Sequence, residues 1–337
     1  ATNFAYSTNK SNIGVCNVPD PRLIDIHKFV KAEKLIFATV EIVDIPGLAK
    51  GASEGQGLGN TFLADIRQVD ALVHVLRCFD DANLPHVEGS IDPVRDIDIV
   101  EFELQVKDLE QIEKKLQKVE KAAKTGDKDA KKAAEVLHRC KAHIEEFKPI
   151  RTLEISEEDH KHIADLMLLT EKPVMYVCNV DENSAVNGNT HSKAVEVALA
   201  GNGAEIVTVA GKLEADIAEL DSEEDRTAFL QDVGLTEPSV HKLINSAYKL
   251  LNLISFFTVG GKENRAWSIR KGATAPQAAG AIHSDLERGF IRAEVFKYSD
   301  LVQYGSEQKC KESGKMSVEG KNYIIEDGDI INIRFNV

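Results

Sequence analysis

Asp44 and Gly47 stand in the string Val43-Asp-Ile-Pro-Gly-Leu, just after the β-branched run Val40 to Val43. Asp-x-x-Gly is a spacing that phosphate-hydrolysing switch proteins use. The carboxylate supports Mg²⁺, and the glycine amide can approach a terminal phosphate because no Cβ is in the way. The bare pattern is common, and Asp44 could equally cap the next turn. Its surroundings are rarer: Gly47, Gly51, Gly55, Gly57 and Gly59 fall within thirteen residues. A second set of polar groups, Asn179-Val-Asp-Glu182, closes an apolar run that starts at Pro173. Open α/β sheets bind ligands at the carboxyl ends of their strands, where both sets would lie.

The elements that must carry these groups follow from periodicity. Residues 40–43 read as a buried strand, within a strand over 35–43, and 71–79 read as another. Asp20-Pro21 opens a helix over roughly 20–31, with Leu23, Ile24, His27 and Phe29 as core candidates. A helix over 61–69 places Phe62, Leu63 and Ile66 on one face. Residues 80–100 are polar and contain proline; a loop of that length is usually functional or mobile. Leu109, Ile112, Leu116, Val119 and Ala123 then alternate at spacings of three and four. Ala133, Leu137, Cys140, Ile144 and Phe147 do the same, which predicts an antiparallel helical hairpin of coiled-coil type turning at Gly126. Its outer faces are dense in Lys and Glu, which most simply makes them solvated.

A helix over 157–169, a strand over 173–180, a helix over 192–200 and a strand over 205–210 continue the chain. Strands alternating with helices predict a mostly parallel sheet. Helices extend to about residue 251. Strands at 255–259, 266–270, 289–296, 322–325 and 329–335, with a helix over 274–282 and a short one over 300–304, then predict a small α+β domain.

The chain has 337 residues, 43% hydrophobic and 28% charged, enough for two or three domains. No apolar run approaches the roughly 20 residues needed to cross a bilayer, and no signal peptide is evident. Cys16, Cys78, Cys140, Cys178 and Cys310 are scattered, as expected of reduced cytoplasmic thiols and no structural zinc. The net charge of −14 argues against a protein that coats DNA or RNA nonspecifically. The charge is uneven. Residues 250–337 carry 12 of the 41 basic and 11 of the 55 acidic side chains, a balance of +1, so all the negative excess lies in the first 249. Such asymmetry suggests different partners for the two parts.

Long strings make the chain resemble the YchF or Obg-like ATPase subfamily of translation-factor-class P-loop NTPases along its whole length. They include FAYSTNKSNIGV, DIPGLAKGASEGQGLGN, NVDE, KLLNLISFFT, RAWSIRKGATAPQAAGAIHSDLERGFIRAEV and DGDIINIRFNV. The resemblance implies a nucleotide-binding α/β domain over 1–100 and 170–228 and a coiled-coil helical insertion over 101–169. Connecting helices over 229–249 and a C-terminal TGS domain of β-grasp type over 250–337 would complete it. It also implies ATP as substrate, Mg²⁺ as cofactor, and a ribosomal partner, the large subunit and its RNA, for a cytoplasmic protein more often monomeric than oligomeric. One part of the pattern is missing. No Gly-Lys-Ser or Gly-Lys-Thr occurs, so the phosphate-gripping P-loop is expected upstream of Ala1. The sequence as given is then expected to bind nucleotide poorly, hydrolyse none, and leave the stretch from Gly51 to Gly59 poorly ordered.

The resemblance also implies residue roles. Thr8 aligns with the first-switch threonine and would coordinate Mg²⁺ together with Asp44. Leu48 stands where many related GTPases place a water-orienting Gln. An alkyl group cannot do that work, so His86 is the implied catalytic group, with Gln56 a weaker substitute. On composition alone Thr8 is an ordinary loop threonine and His86 an inert loop histidine. At the base site, Asn179-Val180-Asp181-Glu182 replaces the Asn-Lys-x-Asp with which GTPases read guanine. Adenine presents the opposite donors and acceptors at the matching positions. The change favours ATP, though Asp181 could take the guanine-reading place by a one-residue shift. Val209, Ala210 and Gly211 would add backbone contacts to the base. The leading expectation is therefore an ATPase switch regulating translation or a stress response. A nucleotide-gated binding protein without catalysis and a GTPase remain as alternatives.

Overall fold

A computed structural model describes residues 12–45 and 58–336. Thr8, Gly47, Leu48 and Gln56 lie outside them, as does 51–57 of the stretch from Gly51 to Gly59 expected to be poorly ordered; its last two residues, Leu58 and Gly59, lie in a helix.

Strand β1 (Asn12–Asn17) leads into helix α1 (Pro21–Phe29). Asp20 starts the helix: its carboxylate accepts the Arg22 amide at 3.0 Å, and Pro21 brings a φ suited to the first turn. The buried face is Leu23 and Ile26, one turn apart. Ile24 is exposed, and His27 and Phe29 are not in the core, so the expected apolar stripe was too wide. The strand expected over 35–43 is two strands, β2 (Lys34–Ile36) and β3 (Thr39–Asp44). In β3, Val40 is buried, while Ile42 and Val43 are half-buried and Glu41 is exposed, so this run is not the fully buried strand expected.

Helix α2 (Leu58–Gln68) and strand β4 (Leu72–Arg77) follow. Helix α3 (Pro93–Lys124) begins well inside the expected 80–100 loop. The start signal was present: Asp92 accepts the Arg95 amide at 3.1 Å and Pro93 takes the first helical position, but the polar composition masked it. The chain turns through Gly126, whose φ of 97° a side chain would strain, into α4 (Lys128–Glu145). Ile112, Leu116, Val136, Leu137, Cys140 and Ile144 form the seam of this hairpin. Phe147 was expected to extend the seam. It lies beyond the end of α4 instead, with φ 59°, and is 73% exposed.

The helix expected over 157–169 is a single turn, α5 (Glu157–His160). Asp108 of α3 supplies the reason. Its carboxylate accepts the Leu169 and Thr170 amides at 2.8 and 2.7 Å and the Thr170 hydroxyl at 2.7 Å. Leu168 and Leu169 are both buried beside this tie; in a helix, successive side chains diverge by about 100°. Strand β5 (Val174–Asn179), α6 (Thr190–Ala198), β6 (Glu205–Val209), α7 (Gly211–Ala218), α8 (Glu223–Asp232) and α9 (Ser239–Leu250) come next.

The C-terminal part contains β7 (Leu253–Thr258), β8 (Glu263–Arg270), α10 (Ala275–Ile282), α11 (Ser284–Arg288) and β9 (Phe290–Lys297). It ends with α12 (Tyr298–Tyr304), α13 (Glu307–Glu312), β10 (Ser317–Glu319) and β11 (Asp329–Phe335). The strand expected at 322–325 is only a bridge between Thr274 and Ile324. Buried Asp329 accepts the Tyr323 hydroxyl and the Glu326 amide, both at 2.9 Å, and so folds this segment into a loop.

Two compact units result, one chiefly of residues 43–240, the other of 14–42 with 241–337. In the first, β4, β5 and β6 form a parallel sheet in that order, with Arg77 opposite Asn179 and Asn179 opposite Val209. This register gathers the ends of β4, β5 and β6 along one edge. In the second, the described strands form a mixed sheet ordered β10-β9-β11-β7-β8-β2, in which β7 and β11 run parallel. Phe256 and Phe257 are fully buried on its opposite faces. No helix among the described residues is long and apolar enough to cross a membrane.

Candidate functional site

Asn179 ends β5, and Ala210 and Gly211 begin the helix after β6. The parallel register makes the two positions neighbours, and the Asn179 side-chain oxygen accepts the Gly211 amide at 3.0 Å. A Cβ on Gly211 would come to 3.1 Å from that oxygen, so the small residue permits the close approach. Val180 and Ala210 are buried, and the Val180 amide donates to the Val209 carbonyl at 2.9 Å. Asn179, Val180, Ala210 and Gly211 are therefore brought together as the sequence suggested.

The two acidic residues of this loop have separate tasks. Asp181 accepts the Ser184 amide at 3.2 Å and the Ser184 hydroxyl at 2.9 Å. The Ser184 hydroxyl holds its carboxyl below the usual carboxylate range. Glu182 pairs with Lys212 of α7 at 2.8 Å, which raises the lysine pKa. Both members of that pair are exposed, so it orders the loop more than it stabilises the fold. Lys212 was not singled out from the sequence, because a pairing across two loops has no periodic signal.

Asp44 is exposed at the end of β3. Among the described residues it has no hydrogen-bond or ion-pair partner, and an accessible carboxylate is a fit ligand for Mg²⁺. Magnesium typically takes one or two protein carboxylates and fills its remaining positions with water and phosphate oxygen. A site of that kind does not require a cage of protein ligands, and no group of three His, Cys, Asp or Glu suited to a metal occurs among the described residues. Asp44 and His86 share no hydrogen bond or ion pair in the described set. Thr8, Gly47 and Leu48 lie outside it.

His86 sits in the loop between β4 and α3, and its side chain is 15% exposed. Its Nε2 lies 3.0 Å from an Asp96 carboxylate oxygen in the first turns of α3. Its Nδ1 accepts the Glu88 amide at 3.1 Å. The second Asp96 oxygen takes two donors from Arg95, at 3.2 and 2.9 Å, and Arg95 also grips the Ser90 carbonyl and hydroxyl. Asp96 and Arg95 were missed because the segment read as loop; once Asp92 is recognised as a helix cap, Asp96 becomes a first-turn acid. His74 on β4 also lies in the field of Asp96. Burial pushes its pKa down to about 4 against that pull, so it stays neutral at physiological pH.

Comparison with known proteins brings this geometry into a family. A family profile described as "50S ribosome-binding GTPase" matches residues 2–125. The YchF GTPase C-terminal profile, described as a protein of unknown function, matches residues 253–336. "Ribosome-binding ATPase YchF" of Escherichia coli O157:H7 is 48% identical over 100% of the chain and 92% of that relative. The protein of the same name from Bacillus subtilis is 44% identical at the same coverage. Among solved structures, the Schizosaccharomyces pombe YchF GTPase superposes with a TM-score of 0.87 at 35% identity. That match covers 98% of this chain and 90% of the other. These similarities establish a P-loop GTPase-type α/β fold with a helical region and a C-terminal domain.

Proposed function

The chain belongs to the YchF family, and from that premise we propose that it is a Mg²⁺-dependent, ribosome-binding ATPase switch. ATP is preferred over GTP, and the observation that carries this preference is the commitment of Asp181 to Ser184. Guanine reading needs a carboxylate free to accept from the ring N1–H and the exocyclic amine. Asp181 is turned into its own loop and Glu182 is held by Lys212, so neither is free for that task.

In this reading Asn179, Val180, Ala210 and Gly211 form the base platform, and Glu182 with its lysine partner lies at its rim. Thr8 and Asp44 would hold the magnesium ion, whose bound form screens charge on the transferring phosphate. Gly47 would offer its amide to that phosphate, and Leu48 leaves water activation to His86. The helical hairpin, as a coiled-coil arm, and the C-terminal TGS domain would meet the large ribosomal subunit and its RNA in the cytoplasm. Hydrolysis would reset this contact and so regulate translation or a stress response, with the protein acting as a monomer.

A GTPase is the second reading, favoured by the naming of the Schizosaccharomyces pombe structure and of the profile over residues 2–125 as GTPases. Nucleotide competition on the full-length protein separates the two. ATP is expected to displace a fluorescent nucleotide at least about tenfold more effectively than GTP, a difference of about 1.4 kcal/mol. Tighter binding of GTP would reject the base-site argument.

A further inference from the structure

His86 is held at both ring nitrogens, by a carboxylate at Nε2 and by N–H donors at Nδ1, the Glu88 amide at 3.1 Å and an Arg95 guanidinium nitrogen at 3.5 Å. A backbone amide can only donate, so Nδ1 must accept the Glu88 N–H and carries no proton in this arrangement. A carboxylate can only accept, so Nε2 carries the proton and donates it to Asp96 at 3.0 Å. The Asp96 carboxylate is itself fixed, because Arg95 occupies its other oxygen through two donors while anchored to Ser90. Both His86 and Asp96 are largely shielded, with 15% and 19% of their side chains exposed, which strengthens the interaction over that of a surface pair.

From this chain of contacts we infer that Asp96, oriented by Arg95, is the positioning residue for His86. It fixes the Nε2–H tautomer and reserves Nδ1 as the ring's one basic atom. The inference rests on the reading of His86 as the group that activates water. In the hydrolytic step, the water oxygen bonds to the γ-phosphorus as the bond from that phosphorus to the β–γ bridging oxygen breaks, and its electron pair leaves with ADP. The water's proton passes to Nδ1, which exchanges the Glu88 amide and the longer Arg95 contact for water to receive it. The resulting imidazolium is stabilised by the Asp96 carboxylate and later releases its proton to solvent. A carboxylate behind the ring thus acts twice, setting the tautomer before the step and balancing charge during it.

The exchange at Nδ1 is local. Gly89 closes the turn by donating to the His86 carbonyl at 3.0 Å, and its φ of +77° is one that glycine adopts freely. Reopening the turn disturbs one backbone–backbone hydrogen bond and the bond from the Glu88 amide to the ring, and requires no change in the Asp96 contact.

The test uses full-length protein with ¹⁵N-labelled histidine. Long-range ¹H–¹⁵N spectra of the wild type are expected to show His86 as the Nε2–H tautomer, and Asp96→Ala and Asp96→Asn to show a mixture. In ATP hydrolysis, Asp96→Asn is expected to lower kcat by on the order of 10-fold to 100-fold, part of the general-base contribution, with KM for ATP unchanged. Asp96→Glu should recover part of the loss. Asp96→Asn keeps the shape of the side chain, and an unchanged thermal midpoint confirms that it folds. Wild-type kcat and an unchanged tautomer in both Asp96 variants, with hydrolysis lost in His86→Ala, would overturn the role of Asp96 and leave that of His86 standing. Full hydrolysis by His86→Ala would overturn both.

Discussion

Replacing His86 by alanine is expected to lower ATP turnover by roughly 10²–10⁴-fold, the usual contribution of a positioned general base, while ATP affinity stays within about twofold. The asymmetry follows from position. The proposed base platform, Asn179, Val180, Ala210 and Gly211, lies at the ends of β5 and β6, and His86 shares no hydrogen bond or ion pair with it among the described residues. The size of the effect rests on the proposal that Leu48, whose alkyl side chain cannot orient water, takes the place of the usual Gln. Single-turnover phosphate release measures the chemical step, and equilibrium displacement of a fluorescent nucleotide measures binding. Equal losses in rate and affinity would place His86 in the binding site instead, and unchanged hydrolysis would remove it from catalysis.

The same loop shows which parts of a site can be read from residues alone. Asn179 and Gly211 were legible because each ends or begins a strongly patterned element, and a parallel register must then make them neighbours. The hairpin was legible because its spacings of three and four persist through both helices. Asp96 was not, because its role depends on where α3 begins, and that boundary rests on a single cap, Asp92, inside a polar segment. Asp181 was ambiguous for a related reason. Composition offers two carboxylates just past the end of β5, and only the Ser184 contacts decide which way Asp181 turns. The short α5 and the loop over 322–325 have one cause in common. In both, a buried aspartate, Asp108 or Asp329, captures donors that a regular helix or strand would have used otherwise.

Asp108 carries the largest expected effect on stability. Its side chain is fully buried and accepts three hydrogen bonds from Leu169 and Thr170. Two residues further on, the Lys172 ammonium donates to the carbonyls of Arg67 and Val69 at 3.2 and 2.5 Å, at the end of α2. One short segment therefore fastens α3 to the helix that follows the glycine-rich stretch. Asp108→Ala leaves two backbone amides and a hydroxyl without their acceptor, at a cost of roughly 3 kcal/mol or more. For a unit of this size that corresponds to a fall of about 6–12 °C in the unfolding midpoint. The effect should also depend on pH. Burial raises the Asp108 carboxyl above its usual value, near 4, against the opposing pull of its three donors and the Arg67 charge. The folded state thus holds this proton more tightly than the unfolded state. Its contribution to stability is complete below about pH 4 and is lost as pH rises through the raised value. The stability difference between wild type and Asp108→Ala is therefore expected to narrow from acid towards neutral pH. Thermal unfolding of both proteins across that range measures it. A midpoint lowered by less than about 2 °C, or a difference that widens with pH, would reject this account of the buried carboxylate.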